Sequence, residues 1–96
     1  MKESYVYILS NKNRTVLYVG VTSDLMTRIE NHKKGTGSQF TKKYNVYDLM
    51  YFEKFNDINQ AIEREKKLKN WHSPWKWDLI VAHNPKKIDL YDDLKL

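Results

Sequence analysis

The sequence has no cysteine, two prolines and only three glycines in 96 residues. The missing cysteines exclude disulfides and thiolate metal sites, and make an intracellular protein the simpler expectation. No P-loop or Rossmann glycine pattern can be assembled, and no serine stands in a nucleophile-elbow context. No apolar run approaches the ~20 residues that a bilayer-spanning helix needs, so no membrane partner is expected. The opening MKESYVYIL is charged, with an apolar run too brief and too strand-like for a signal peptide, which points to the cytoplasm. The three histidines, His32, His72 and His83, lack the close spacing of a zinc site.

What is present is a foldable and basic chain. Hydrophobic residues make up 41 %, enough to build a core. The length suits a single domain over 1–96, with 86–96 as a C-terminal tail. The net charge of +5 is the balance of a small domain that meets nucleic acid or another anionic surface.

Residues 4–10, SYVYILS, read as a strand, 11–15 as a polar turn and 16–21, VLYVGV, as a second strand; so short a gap favours an antiparallel hairpin. Ser23 or Asp24 offers a cap for a helix carrying Leu25, Met26 and Ile29, with Gly35 as its stop. Residues 36–45, TGSQFTKKYN, read as a basic loop with two aromatics, and 47–54 as a third strand. A helix is expected over 57–71. Another is expected over 73–84, with Ser73 as cap, Pro74 at its first position and Pro85 beyond its end. In the tail, Ile88, Tyr91 and Leu94 have the spacing to pack as a short helix. The order ββαβαα describes an α/β domain with a small three-stranded, mostly antiparallel sheet flanked by helices.

Alternation along the hairpin sorts its side chains. Val6 and Ile8 join Leu17, Val19 and Val21 in one aliphatic layer. The opposite face shows Tyr5, Tyr7 and Tyr18, with a bare Gly20 where a backbone or ligand could come close. Stepping about 100° per residue from Leu25 puts Ile29 at about 40°, His32 at about 340° and Arg28 at about 300°. Arg28 and His32 are thus neighbours one turn apart, flanking the stripe that faces the sheet. On the next helix Glu65 falls inside the stripe of Ile58, Ala61, Ile62 and Leu68. A carboxylate there must be paired, protonated or bound to a metal. A lone carboxylate suits Mg²⁺, which keeps most of its waters and draws other ligands from a substrate phosphate. Trp71, Trp75 and Trp77 gather where the second helix meets the third and read as core.

Taken together, YVYIL followed by LYVG, with ten residues between Tyr7 and Tyr18, resembles the GIY-YIG nuclease domain. TSDLMTRIENHKKG resembles that family's helix with its active-site Arg and a His one turn later. AIEREKKLKNW resembles the segment holding the metal-binding Glu, which falls on Glu65. The likeness runs from about Ser4 to Asn84 and is strongest to the small stand-alone members, relatives of the excision-repair incision nuclease. Tyr5 stands where the family name puts Gly, and Val19 where it puts Ile.

The resemblance implies an endonuclease that hydrolyses phosphodiester bonds in DNA during repair or recombination. Its catalytic residues would be Tyr7, Tyr18, Arg28, His32 and Glu65, with Mg²⁺ or Mn²⁺ on Glu65. Arg28 would clamp a phosphate oxygen, a planar-fork task. Tyr7 or Tyr18 would orient or deprotonate the attacking water, and His32 would orient water or relay a proton. Gly20, Lys33, Lys34, Lys42, Lys43, Tyr44, Lys66 and Lys69 are candidate nucleic-acid contacts. The lysines would hold phosphates without reading sequence, and aromatics beside them could stack an unpaired base. A non-cleaving nucleic-acid-binding module on the same fold is the alternative, and a protein partner that supplies specificity fits either case.

Overall fold

A computed structural model describes residues 3–95. Three strands, β1 (Ser4–Ser10), β2 (Leu17–Thr22) and β3 (Asp48–Phe55), form one sheet in the order β2-β1-β3, with both pairings antiparallel. Around it lie helices α1 (Leu25–Lys33), α2 (Gln39–Tyr44), α3 (Ile58–Asn70), α4 (Ser73–His83) and the single turn α5 (Tyr91–Leu94). The α/β class and the three-stranded antiparallel sheet are as expected from sequence. No helix among the described residues is long and apolar enough to cross a membrane.

The sheet is buried on both faces, and the alternation in β1 decides which side chain goes where. Val6 and Ile8 sit opposite Val21 and Val19 across the hairpin. They pack with Ala61 and Leu68 of α3 and Ile80 of α4. Tyr7 and Leu9 face the other way, onto Leu25 and Ile29 of α1. A bulge between Ile8 and Leu9 adds a residue to β3: Leu9 meets Leu49, Ile8 meets Tyr51, and Met50 is the extra residue between them. Leu49 therefore packs on the α1 side while both Met50 and Tyr51 pack on the α3 side.

Two expectations are corrected. Residues 36–45 are not a loop throughout. Ser38 accepts the Thr41 amide at the start of α2, and Asn45 closes the helix in the left-handed region at φ 55°. The glycines at 35 and 37 mask this helix in the sequence. Ser73 does not cap α4; it is the first helical residue, and the preceding His72 makes no side-chain cap.

The C-terminal segment is built into the fold. Asn84 donates to the carbonyls of Met50 and Ile88, and Leu90 N–H donates to the Leu49 carbonyl. Asp89 accepts the amides of Leu49 and Tyr91 and pairs with Lys33. Tyr91 and Leu94 then pack against the α1 side of the core, whereas Ile88 stays exposed.

Candidate active site

The site begins with the pairing of Tyr7 and Gly20. The two residues face each other across the hairpin, and the Tyr7 ring folds over the glycine. A Cβ built on Gly20 would overlap the end of the Tyr7 phenol. The space that the sequence leaves open to a ligand is thus filled by the protein's own ring, and Gly20 is not available as a nucleic-acid contact. Tyr18, two pairs further along the hairpin, lies 6.4 Å from Tyr7 between ring centroids.

Helix α1 brings the next groups. Thr22 Oγ1 accepts the Asp24 amide and the Asp24 carboxylate accepts the Thr27 amide, so the helix starts directly off β2. One turn apart on its inner side come Arg28 and His32. His32 is fully buried, with its ring 5.7 Å from Tyr7 and 5.5 Å from Tyr18. Its Nε2 lies 2.9 Å from the Tyr7 hydroxyl, and its Nδ1 lies 3.0 Å from Thr41 Oγ1. Thr41 Oγ1 also meets Ser38 Oγ at 2.9 Å and the Ser38 carbonyl at 3.2 Å; with its single proton on the carbonyl, it accepts from His32 Nδ1–H. Nε2 is left to accept the Tyr7 phenol. Gly37 makes room for the imidazole, since a Cβ there would overlap the ring.

Burial, reinforced by the Arg28 guanidinium, pushes the His32 imidazole down to about 4. Burial also pushes the Tyr7 phenol well above its ordinary value. Tyr18 and Glu65 act in the same direction, while Arg28 pulls it down. At neutral pH the resting pair is therefore a neutral phenol donating to a neutral imidazole. Among the described residues no carboxylate lies within ion-pair distance of the half-buried Arg28.

Glu65 comes from the other layer, on α3. Its side chain is 15 % exposed, and its one ion-pair partner is Lys69, at 3.6 Å on the next turn. It is among the charges that push the Tyr7 phenol up, opposite in sense to Arg28. Among the described residues no three His, Asp or Glu side chains gather in metal-binding geometry. A single carboxylate held only loosely by a lysine fits a hard divalent cation that keeps its waters and takes phosphate oxygens.

Of the basic residues singled out from sequence, Lys34, Lys42, Lys43, Lys66 and Lys69 are exposed, as is Tyr44. Lys33 is not free: it pairs with Asp89, donates to the Tyr47 carbonyl and lies over the Tyr91 ring. Its role is to tie α1 to the C-terminal segment, so it is removed from the contact set. Trp71 and Trp77 pack on the α3 side of the core, but Trp75 is exposed, edge-on to the Trp71 ring and outside the core. The sequence reading missed Ser38, Thr41 and Gly37, which hold His32. The Ser-x-x-Thr spacing of Ser38 and Thr41, which encloses Phe40 and precedes Tyr44, was the available signal.

Two of the surface recesses among the described residues bear on the site. The larger, about 610 Å³, runs along β3 by Tyr51, Glu53 and His83. Its carboxylate is committed to Arg64, whose guanidinium donates to both oxygens at 2.9 Å, and to the Tyr51 hydroxyl. The smaller, about 310 Å³, adjoins the phenol site and is lined by Tyr18, Phe40, Lys69 and Lys76. Of the groups of the phenol site, Tyr18 lines the second.

The sequence matches the model of the GIY-YIG catalytic domain over residues 3–78. The chain belongs to the GIY-YIG family. A UPF0213 protein of Clostridium perfringens is 33 % identical over 93 residues, covering 97 % of this chain and 99 % of that one. A UPF0213 protein of Staphylococcus haemolyticus is 34 % identical over 80 residues, covering 83 % and 96 %. Among solved structures, the solution NMR structure of a UPF0213 protein from Bacillus halodurans superposes with a TM-score of 0.55 at 28 % identity, covering 85 % of this chain and 86 % of that chain. The chain is thus similar over nearly its whole length to a set of small stand-alone GIY-YIG proteins, in a superfamily of nucleases.

Proposed function

We propose that this GIY-YIG protein is a metal-dependent endonuclease that hydrolyses phosphodiester bonds in DNA, in repair or recombination. The observation that best supports this reading is the hydrogen bond between the Tyr7 phenol and the buried His32, with the Tyr18 ring against both; Arg28 and Glu65 are charges that act on that phenol. Two phenols, a guanidinium, an imidazole and a lone carboxylate from three segments have no common structural task. They do match the needs of phosphoryl chemistry.

In this reading Arg28 takes a phosphate oxygen, which agrees with its lack of a carboxylate partner. Glu65 holds the divalent cation, Mg²⁺ or Mn²⁺. When bound, such a cation supplies positive charge against the phosphate and leaving oxygens. Tyr7 orients the attacking water, whose oxygen bonds to phosphorus as the bond to the leaving oxygen breaks. The water proton passes to the Tyr7 oxygen as the phenol's own proton moves to His32 Nε2. Resting electrostatics disfavour this transfer, since burial raises the phenol and lowers the imidazole. Transfer is assigned to the substrate-bound state; in the resting site Arg28 pulls the phenol down against burial, Tyr18 and Glu65. Tyr18, more exposed, is placed on the substrate side of Tyr7.

The test is nicking of supercoiled plasmid with Mg²⁺, against an EDTA control. Cleavage is expected only with metal, and Glu65→Gln is expected to abolish it. Full activity in Glu65→Gln would refute the metal assignment. Binding in EDTA without cleavage of duplex, flapped or branched DNA on adding Mg²⁺ would select the non-cleaving module instead.

A further inference from the structure

Helix α2 has two dissimilar sides. Thr41 points inward to His32, which fixes the helix against the phenol site. Phe40 and Tyr44, one turn apart, point outward and are 42 % and 43 % exposed. Phe40 stacks on Tyr18, with ring centroids 5.9 Å apart and planes 27° apart, and Tyr44 follows Phe40 at 4.9 Å. Three rings therefore form a continuous row that starts beside Tyr7 and runs out to the surface. Lys43 lies over the Tyr44 ring, and Lys69 and Lys76 line the recess between Tyr18 and Phe40. An outward phenylalanine has no polar atom to account for its exposure. Lysines around the row match a polyanion rather than an apolar protein surface.

We propose that the Tyr18–Phe40–Tyr44 row is a stacking platform for unpaired bases, so that the preferred substrate carries a single-stranded stretch beside the phosphate to be cut. The proposal rests on the nuclease reading for the word substrate, and its binding part stands without it. Bases in an uninterrupted duplex are stacked on one another and offer no free face. Unpaired bases offer one each, and stacking on a ring is tolerant of sequence. The bond from His32 to Thr41 gives the row a constant distance from Tyr7, so the stacked bases set which phosphate meets Arg28.

The experiment is fluorescence anisotropy in EDTA with a labelled single-stranded oligodeoxynucleotide and the matching blunt duplex, and with the same single strand carrying 2-aminopurine. Wild type is expected to bind the single strand more tightly than the duplex and to quench the 2-aminopurine. Replacing both rings, Phe40→Ala with Tyr44→Ala, is expected to weaken single-strand binding by about tenfold or more and to remove the quench. The exchange Phe40→Tyr with Tyr44→Phe is expected to retain both. Equal affinity for the two probes, or no quench by wild type, overturns the platform even if the alanine variant does not fold. Ring-dependent binding in a protein that cleaves nothing with Mg²⁺ would sink the nuclease reading and leave the platform. Cleavage that ignores the rings and the strandedness of the DNA would do the reverse.

Discussion

At the residue scale the site depends on removed atoms as much as on functional groups. Gly20 and Gly37 each leave the volume that a ring of the candidate site occupies. Gly20→Ala is expected to push the Tyr7 phenol off His32, costing about 1–3 kcal/mol by overpacking and most of the nuclease activity; urea denaturation beside the nicking assay checks both. His32 gives a second outcome. Its folded value of about 4 lies below its ordinary 6.5, so the unfolded chain binds more protons between those values. Its contribution is present above pH 6.5 and is lost as the pH falls toward about 4, at most about 3 kcal/mol for a group so buried. Denaturation midpoints measured across that window should fall with acid in wild type, and fall less in His32→Gln. Arg28 and His32 were legible from sequence because helical periodicity is local. Lys33 was misread because its partner Asp89 lies 56 positions away and no local pattern announces it.

At the element scale, the hairpin, β3, α1, α3 and α4 could be read because each carries a period, a cap or a breaker over several residues. Helix α2 could not. Six residues are too few to show an apolar stripe, and its one buried side chain is a threonine. The helix exists because Ser38 and Asn45 close its ends and Thr41 is held by a buried histidine. Thr41→Val keeps the shape and removes that partner, leaving His32 Nδ1–H unsatisfied. It is expected to cost about 1–3 kcal/mol, while Thr41→Ser, which keeps the hydroxyl, costs less. Thermal melting of the two variants separates the hydrogen bond from the methyl contacts. If the bond places the imidazole, Thr41→Val also lowers cleavage where Thr41→Ser does not.

At the scale of the whole molecule, the sheet has two cores, and the site draws on both. Tyr7, Arg28 and His32 belong to the α1 side, whereas Glu65 comes from α3, packed on the opposite face. The bare pair at Gly20 lets the Tyr7 ring fold toward β2, an edge strand whose other face packs on α3. On the proposed function, relative placement of the two layers is a condition for activity, and the C-terminal segment helps to set it. That segment covers part of the outer edge of β3 at Leu49 and places Tyr91 and Leu94 beneath α1, with Lys33 joined to Asp89. Asp89 is partly buried, and its bonds from Lys33 and from two amides hold its carboxyl below the usual carboxylate range despite desolvation. Asp89→Ala would strand the Leu49 amide and release Lys33, at a cost of about 1–3 kcal/mol. The effect should be graded along the chain: amide exchange should quicken at Leu49 and Tyr91 and then in α1, while the amides of Ala61 and Leu68 in α3 keep nearly their wild-type protection. Equal acceleration in α1 and α3 would mean that the segment stabilises the fold as a whole, without a particular hold on the helix that carries Arg28 and His32.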